Sequence, residues 1–106
     1  MESEKENANM KRVSAVNAPG GKIVAYSFVC PGCGYKHTPY IEEGYGPKWG
    51  FNGSEELPTF TPSILFRTGD KNGPIVCHSF VTDGRIQFLT DSTHKLAGQT
   101  VDLNII

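Results

Sequence analysis

Apolar and polar residues alternate along much of the chain, a pattern typical of half-buried β-strands. In residues 23–29, Val24, Tyr26 and Phe28 fall on one face. Residues 100–105 alternate in the same way. The chain shows no long stretch with the 3.6-residue periodicity of an amphipathic helix. The pattern therefore predicts a mainly β domain.

Turn residues divide the rest of the chain into further short strands. Extended segments are predicted at residues 35–41, 48–52, 59–67, 75–82 and 85–90. Asp83-Gly84 separates the last two, and this pair favours the positive φ angles of a tight hairpin. Asp91 to Gly98 resembles one capped helical turn that ends at a glycine. We expect an antiparallel β domain with a single short helical turn.

The first 21 residues show almost no apolar periodicity, which predicts a flexible N-terminal tail over residues 1–21. Residues 22–106 then form one small domain. At this size a bound metal often supplements the limited hydrophobic core.

Cys30 and Cys33 form a Cys-x-x-Cys motif, the strongest chemical signal in the chain. Pro31 and Gly32 favour a tight turn that places both thiolates at a separation suited to tetrahedral zinc. A redox dithiol would instead stand at the start of a helix. Here a strand is predicted on each side, so the motif indicates a zinc-ribbon-like knuckle (residues 30–34) and a structural Zn²⁺ ion.

The other zinc ligands must come from later in the chain. Cys77 is the natural third ligand, although a lone cysteine in a strand is often only a buried core residue. His94 ranks first as the fourth ligand, because its turn follows the hairpin and can fold back over the sheet. His78 is the close alternative, since strand alternation turns it away from the face of Cys77. His37 ranks third.

Composition excludes several classes of protein. Three cysteines without a signal peptide argue against a secreted disulfide framework. No apolar run approaches transmembrane length. The formal net charge of −1 provides no basic surplus for nucleic acid. These features favour a protein of the bacterial cytoplasm.

Several motifs resemble those of a family of small phage and prophage proteins of unknown function. The similar segments are residues 28–34, 49–53, 58–64, 77–86 and 91–101. The resemblance implies a phage-derived cytoplasmic protein with a zinc site, and it supplies no activity. Members are sometimes labelled ammonia monooxygenase, which does not fit a chain with no membrane segment and a closed set of cysteine and histidine ligands.

A non-enzymatic interaction module is the favoured function, with a host or phage protein as its partner. Tyr45 and Trp49 lie in a glycine-rich loop and are the candidate contact residues. A place in the core of a small domain is the better explanation for at least one of Trp49 and Phe51.

Two alternatives stay open. The first is a small zinc-dependent enzyme, hydrolase-like, that uses His78, Asp91 and His94 near the metal, with Ser79 or Ser92 as a hydroxyl partner. Three thiolates make zinc a poor Lewis acid, which argues against it. The second is a nucleic-acid-binding zinc ribbon, disfavoured by the near-neutral charge.

Overall fold

The computed structural model describes residues 10–106, which form eight β-strands. The strands are β1 (Ser14–Asn17), β2 (Ile23–Val29), β3 (Lys36–His37), β4 (Gly50–Phe51), β5 (Phe60–Asp70), β6 (Gly73–Thr82), β7 (Arg85–Phe88) and β8 (Thr100–Asp102).

All strand pairs are antiparallel and fall into two sheets. The smaller sheet has the order β1-β2-β3, and the larger has the order β4-β5-β6-β7-β8. The prediction of a mainly β, antiparallel fold is therefore confirmed. Among residues 10–106, no helix is long and apolar enough to cross a membrane.

The two longest strands of the larger sheet, β5 and β6, form a hairpin. Asp70 pairs with Gly73, so the two strands extend beyond the predicted segments 59–67 and 75–82. The carboxylate of Asp70 accepts a hydrogen bond from the Asn72 N–H and closes the turn. The next hairpin turns at Asp83-Gly84 with φ angles of 50° and 79°, as that sequence pair predicts.

The hydrophobic core lies between the two sheets. Phe28 of β2 stacks on Phe60 of β5, and Phe51 of β4 stacks between Phe60 and Tyr26. The core therefore ties β2 to the larger sheet. Its other buried members include Val13, Ile64, Cys77, Val81, Ile86, Phe88 and Leu103.

Part of the segment predicted as a tail is ordered. Val13 is fully buried, and the following strand β1 pairs with β2. Arg12 donates hydrogen bonds to the carbonyls of Leu103 and Glu56. A strand of four residues with one buried neighbour leaves too little periodicity to be detected in the sequence. Residues 1–9 of the predicted tail lie outside the described part of the chain.

The segment after β7 consists of consecutive turns where the sequence predicts a short helical turn. The N–H groups of Ala97 and Gln99 bond to the carbonyls three residues before them, at His94 and Leu96. Gly98 has a φ of 82° and ends the segment, as expected of a glycine in this position.

Replacing Val13 with alanine tests whether this segment belongs to the folded domain. We expect Val13→Ala to lower the free energy of unfolding by about 1–3 kcal/mol, because it empties a fully buried site. Val29→Ala is the matched control, since Val29 is 53% exposed. Urea unfolding of the full chain measures both, and equal effects would contradict the ordered assignment.

Candidate metal centre and candidate active site

The knuckle forms as a tight turn after β2. The Cys30 carbonyl accepts a hydrogen bond from the Gly34 N–H, and the Cys30 sulfur accepts one from the Gly32 N–H at 3.4 Å. Gly34 has a φ of 79°, a conformation that glycine adopts without strain. The turn points both cysteine sulfurs toward the core side of β6.

Cys30, Cys33, His37 and Cys77 form a cluster that could hold a metal ion. The four ligand atoms all lie within 4.8 Å of one another. The sulfurs of Cys30 and Cys77 are 3.6 Å apart, and the Cys33 sulfur lies 3.5 Å from His37 Nε2. Cys30 and Cys33 lie in the knuckle, His37 lies in β3 and Cys77 lies in β6. The cluster therefore joins the two sheets.

The electrostatics of the cluster favour a bound cation. A hydrogen bond from the Cys77 thiol is the main cause that lowers the pKa of Cys30 to about 3. The same contact raises the pKa of Cys77, and burial raises that of Cys33. Binding a metal requires all three cysteines as thiolates, which would repel one another at these distances, and a cation between them would remove that repulsion.

His94, predicted as the fourth ligand, lies beside one member of the cluster. Its Nε2 is 3.5 Å from the Cys77 sulfur, and its Nδ1 accepts a hydrogen bond from the Leu96 N–H. Its ring packs so closely on the knuckle that a Cβ on Gly32 would lie 2.4 Å from it. The mutually close set of four contains His37 in its place.

Cys77 and His78 face opposite sides of β6, as strand alternation predicts. Cys77 is fully buried with the Cys3His cluster, whereas His78 lies on the outer face of the larger sheet. His78, the close alternative for the fourth ligand, therefore lies on the side of the sheet away from the cluster.

On this outer face, His78 connects a serine to an aspartate. Its Nε2 lies 3.1 Å from the hydroxyl of Ser63, and its Nδ1 lies 3.1 Å from a carboxylate oxygen of Asp91. The carboxylate only accepts hydrogen bonds, so Nδ1 carries the proton and Nε2 is free to accept from Ser63. A hydroxyl, an imidazole and a carboxylate in this order form the chain that activates a serine nucleophile.

A bulge in β5 presents Ser63 to the histidine. Phe60 pairs with Val81 and Ile64 with Ser79, so three residues of β5 (61–63) lie opposite the single residue Phe80 of β6 and the strand bulges there. Trp49 supports the bulge by donating its indole N–H to the Ser63 carbonyl at 3.2 Å. The bulge therefore lifts Ser63 out of the regular ladder and toward His78.

Residues 91–94 continue the sheet along β6 beyond the end of β7. Ser92 accepts a hydrogen bond from the His78 N–H and donates one to the His78 carbonyl. Thr93 makes the equivalent pair of contacts with Val76. Asp91 and His94, at the two ends of the segment, reach the His78 ring and the Cys77 sulfur. This short segment thus contacts the metal cluster on one face and the serine chain on the other.

The constellation of His78, Asp91 and His94 predicted for a zinc enzyme is divided in the structure. His78 and Asp91 meet on the outer face, and His94 lies on the side of the metal cluster. The hydroxyl partner is Ser63, where the sequence suggested Ser79 or Ser92. Ser79 is fully buried, and its hydroxyl has no hydrogen-bond partner among residues 10–106.

Ser63 carries little signal in the sequence, because it lies in no nucleophile motif and its partner is 15 residues away. Pro62, which interrupts the predicted strand over residues 59–67, was the available clue to the bulge.

The two aromatic residues proposed to contact a partner have different environments. Trp49 is half-buried against the core and holds Ser63. Tyr45 is exposed and stacks on Tyr40 with ring centroids 4.9 Å apart.

Fold and site together define a small two-sheet β protein with a Cys3His cluster on one side of β6 and a Ser-His-Asp chain on the other. The chain belongs to the bacterial family described as bacterial ubiquitination-like system serine protease (BubE), whose model matches residues 1–89. No curated protein matched the chain. No solved structure matched it.

Substitutions of two buried serines, Ser92 and Ser79, test whether residues 91–94 stabilise β6 at His78. We expect Ser92→Ala to lower the free energy of unfolding by about 1–3 kcal/mol, because it leaves the His78 N–H without its partner. Ser79→Ala should be neutral or slightly stabilising, since it removes a buried hydroxyl without a hydrogen bond. Thermal or urea unfolding measures both variants, and the reverse order would contradict the geometry.

Proposed function

We propose that the protein is a serine protease in which Ser63 is the nucleophile, His78 the general base and Asp91 the residue that orients His78. The main support for this proposal is the continuous hydrogen-bond chain from Ser63 to Asp91 through both nitrogens of His78. The description of the family, which names a serine protease, supports it independently.

The geometry suggests how the residues act. Ser63 Oγ attacks the carbonyl carbon of the scissile bond while His78 Nε2 takes its proton. His78 then gives that proton to the leaving amine, and water releases the acyl group from Ser63 by the same route. Asp91 keeps the proton on Nδ1 throughout. Because the Asp91 side chain is 56% exposed, its charge is screened and it stabilises the imidazolium less than a buried carboxylate would.

In this proposal the metal is a structural zinc held by Cys30, Cys33, His37 and Cys77. Tetrahedral zinc with typical bond lengths places two sulfurs about 3.8 Å apart and a sulfur and a nitrogen about 3.6 Å apart. The distances of 3.6 and 3.5 Å are close to these values. Four protein ligands would close the coordination, which fits a structural and not a catalytic role.

His37 fits the fourth position better than His94 for a chemical reason. A neutral histidine that binds metal through Nε2 carries its proton on Nδ1. In His94 that nitrogen accepts a hydrogen bond from Leu96, so its Nε2 is protonated and can donate to the Cys77 sulfur. We therefore assign His94 the role of a hydrogen-bond donor to a zinc thiolate.

The partner in this proposal is a protein substrate of a ubiquitination-like system. A protease that binds the protein it cleaves would replace the non-enzymatic interaction module that the sequence favours. The net charge of −1 still argues against nucleic acid. Phage origin and a cytoplasmic location stay predictions.

A fluorophosphonate probe tests the nucleophile without requiring a known substrate. We expect the probe to label the full chain on Ser63, located by mass spectrometry of the digested protein. Ser63→Ala should abolish labelling, His78→Ala should nearly abolish it, and Asp91→Asn should lower it less, because Asp91 is exposed.

Ser54→Ala and Asp102→Asn are the matched controls, because both residues are polar and lie outside the Ser63–His78–Asp91 chain. Both should label like the wild type. Labelling that survives in Ser63→Ala, or that never modifies Ser63 in a folded wild type, would contradict the proposed function.

Metal analysis tests the second part of the proposal. The purified protein should contain about one zinc ion per chain. His37→Ala should weaken zinc binding far more than His94→Ala, because it removes a ligand and not an outer hydrogen bond. Competition with a chromophoric chelator measures the affinities. A larger loss in His94→Ala would restore His94 as the fourth ligand.

A further inference from the structure

The Ser63–His78–Asp91 chain lies on the outer face of the larger sheet, next to two exposed apolar side chains. Along β6, Cys77, Ser79 and Val81 are buried, so the alternate residues His78 and Phe80 face outward. On β5, Ile64 is buried, and Leu65 faces outward directly opposite His78.

Both apolar residues lie within one side-chain length of the candidate catalytic residues. Directly opposed residues of an antiparallel pair have Cβ atoms about 5 Å apart, which places Leu65 beside the His78 ring. Phe80 follows His78 by two residues on the same face. It also lies opposite the bulge that presents Ser63, between the pairs of Phe60 with Val81 and Ile64 with Ser79.

These side chains remain accessible in the described part of the chain. Leu65 is 48% exposed and Phe80 is 42% exposed. On the same face, Gln87 pairs with Phe80, Arg85 with Thr82, and Arg67 with Val76. Val76 also faces outward but is only partly exposed, so Leu65 and Phe80 are the exposed large hydrophobic side chains of this face among the described strands.

Concave surfaces adjoin this patch on both sides. One, of about 470 Å³, is lined by His78, Gln87, Leu89 and Asp91 on the β7 side. The other, of about 300 Å³, lies between the edge of β5 and residues 36–39, with Trp49, Ile64 and Leu65 in its wall. An extended peptide that crosses from one to the other passes over His78 and Leu65, beside Ser63 and Phe80.

We propose that Leu65 and Phe80 determine specificity by binding an apolar side chain of an extended peptide substrate next to the scissile bond. This inference rests on the proposed function. The occupant is a peptide because the two residues flank the Ser63 hydroxyl, where the scissile carbonyl must lie. Apolar contact there removes both half-exposed side chains from water.

Two kinds of phosphonate probe separate this inference from the proposed function. A small fluorophosphonate reports on Ser63 alone. Diphenyl phosphonates that carry a leucine, phenylalanine or aspartate side chain beside the phosphorus report on the surrounding surface. We expect the leucine and phenylalanine probes to label the wild type faster than the aspartate probe.

Leu65→Ser and Phe80→Ser should each remove this preference, slowing the apolar probes roughly ten- to hundredfold. Labelling by the fluorophosphonate should stay within about threefold of the wild-type rate, since neither residue takes part in activating Ser63. Ile105→Ser is the matched control, because Ile105 is 47% exposed outside this face, and it should change neither rate.

Each other result has a distinct meaning. Absence of a preference in a wild type that labels with the fluorophosphonate overturns the inference and leaves the proposed function intact. Equal slowing of all probes in Leu65→Ser and Phe80→Ser also overturns it, because the residues would then support the fold of the site. A dimer in sedimentation that either variant dissociates would assign the patch to a second copy of the chain. If the fluorophosphonate does not label Ser63 in the folded wild type, both the proposed function and this inference are wrong.

Discussion

The alternation of side chains along β6 is the constraint on which both candidate sites depend. Successive residues of a strand face opposite sides of the sheet, so Cys77 and His78 are adjacent in sequence and separated by the sheet in space. Cys77 completes the Cys3His cluster in the core, and His78 joins Ser63 and Asp91 on the outer face. A shift of one residue in the pairing of β6 would exchange the two faces and destroy both sites.

The register of β6 is fixed from both sides and by the cluster itself. β5 pairs with β6 along nearly its whole length, and residues 91–94 replace β7 along Val76 to His78. The metal ligands come from both sheets, so a bound ion would hold β6 against β2 and β3. In a domain of this size such a contact is comparable to the whole stability of the fold. In the proposed function, a bound metal would therefore fix the position of the strand that carries His78, the proposed general base.

Local patterns predicted the parts of the fold that depend on neighbouring residues. The alternation in residues 23–29, the Asp83-Gly84 turn and the Cys-x-x-Cys turn each act over a few residues, and each is present in the structure. The ordered segment at Val13 and the close approach of His37 to the three cysteines depend on contacts across the domain. Ser63 is the clearest case, because its role arises from a bulge whose register is set by pairing with β6. The opposite orientation of Cys77 and His78 was predictable from strand alternation. The contact of the outward-facing His78 with a serine could be recognised only from the position of Ser63 in the structure.

A crystal structure of the protein after reaction with a fluorophosphonate would show whether β6 separates a structural metal site from a catalytic serine. We expect phosphorus bonded to Ser63 Oγ beside His78, and a zinc ion on the other side of β6 bound by Cys30, Cys33, His37 and Cys77. A phosphonate oxygen bound to the metal, or an inhibitor attached to a residue other than Ser63, would contradict the division of β6 into a structural and a catalytic face.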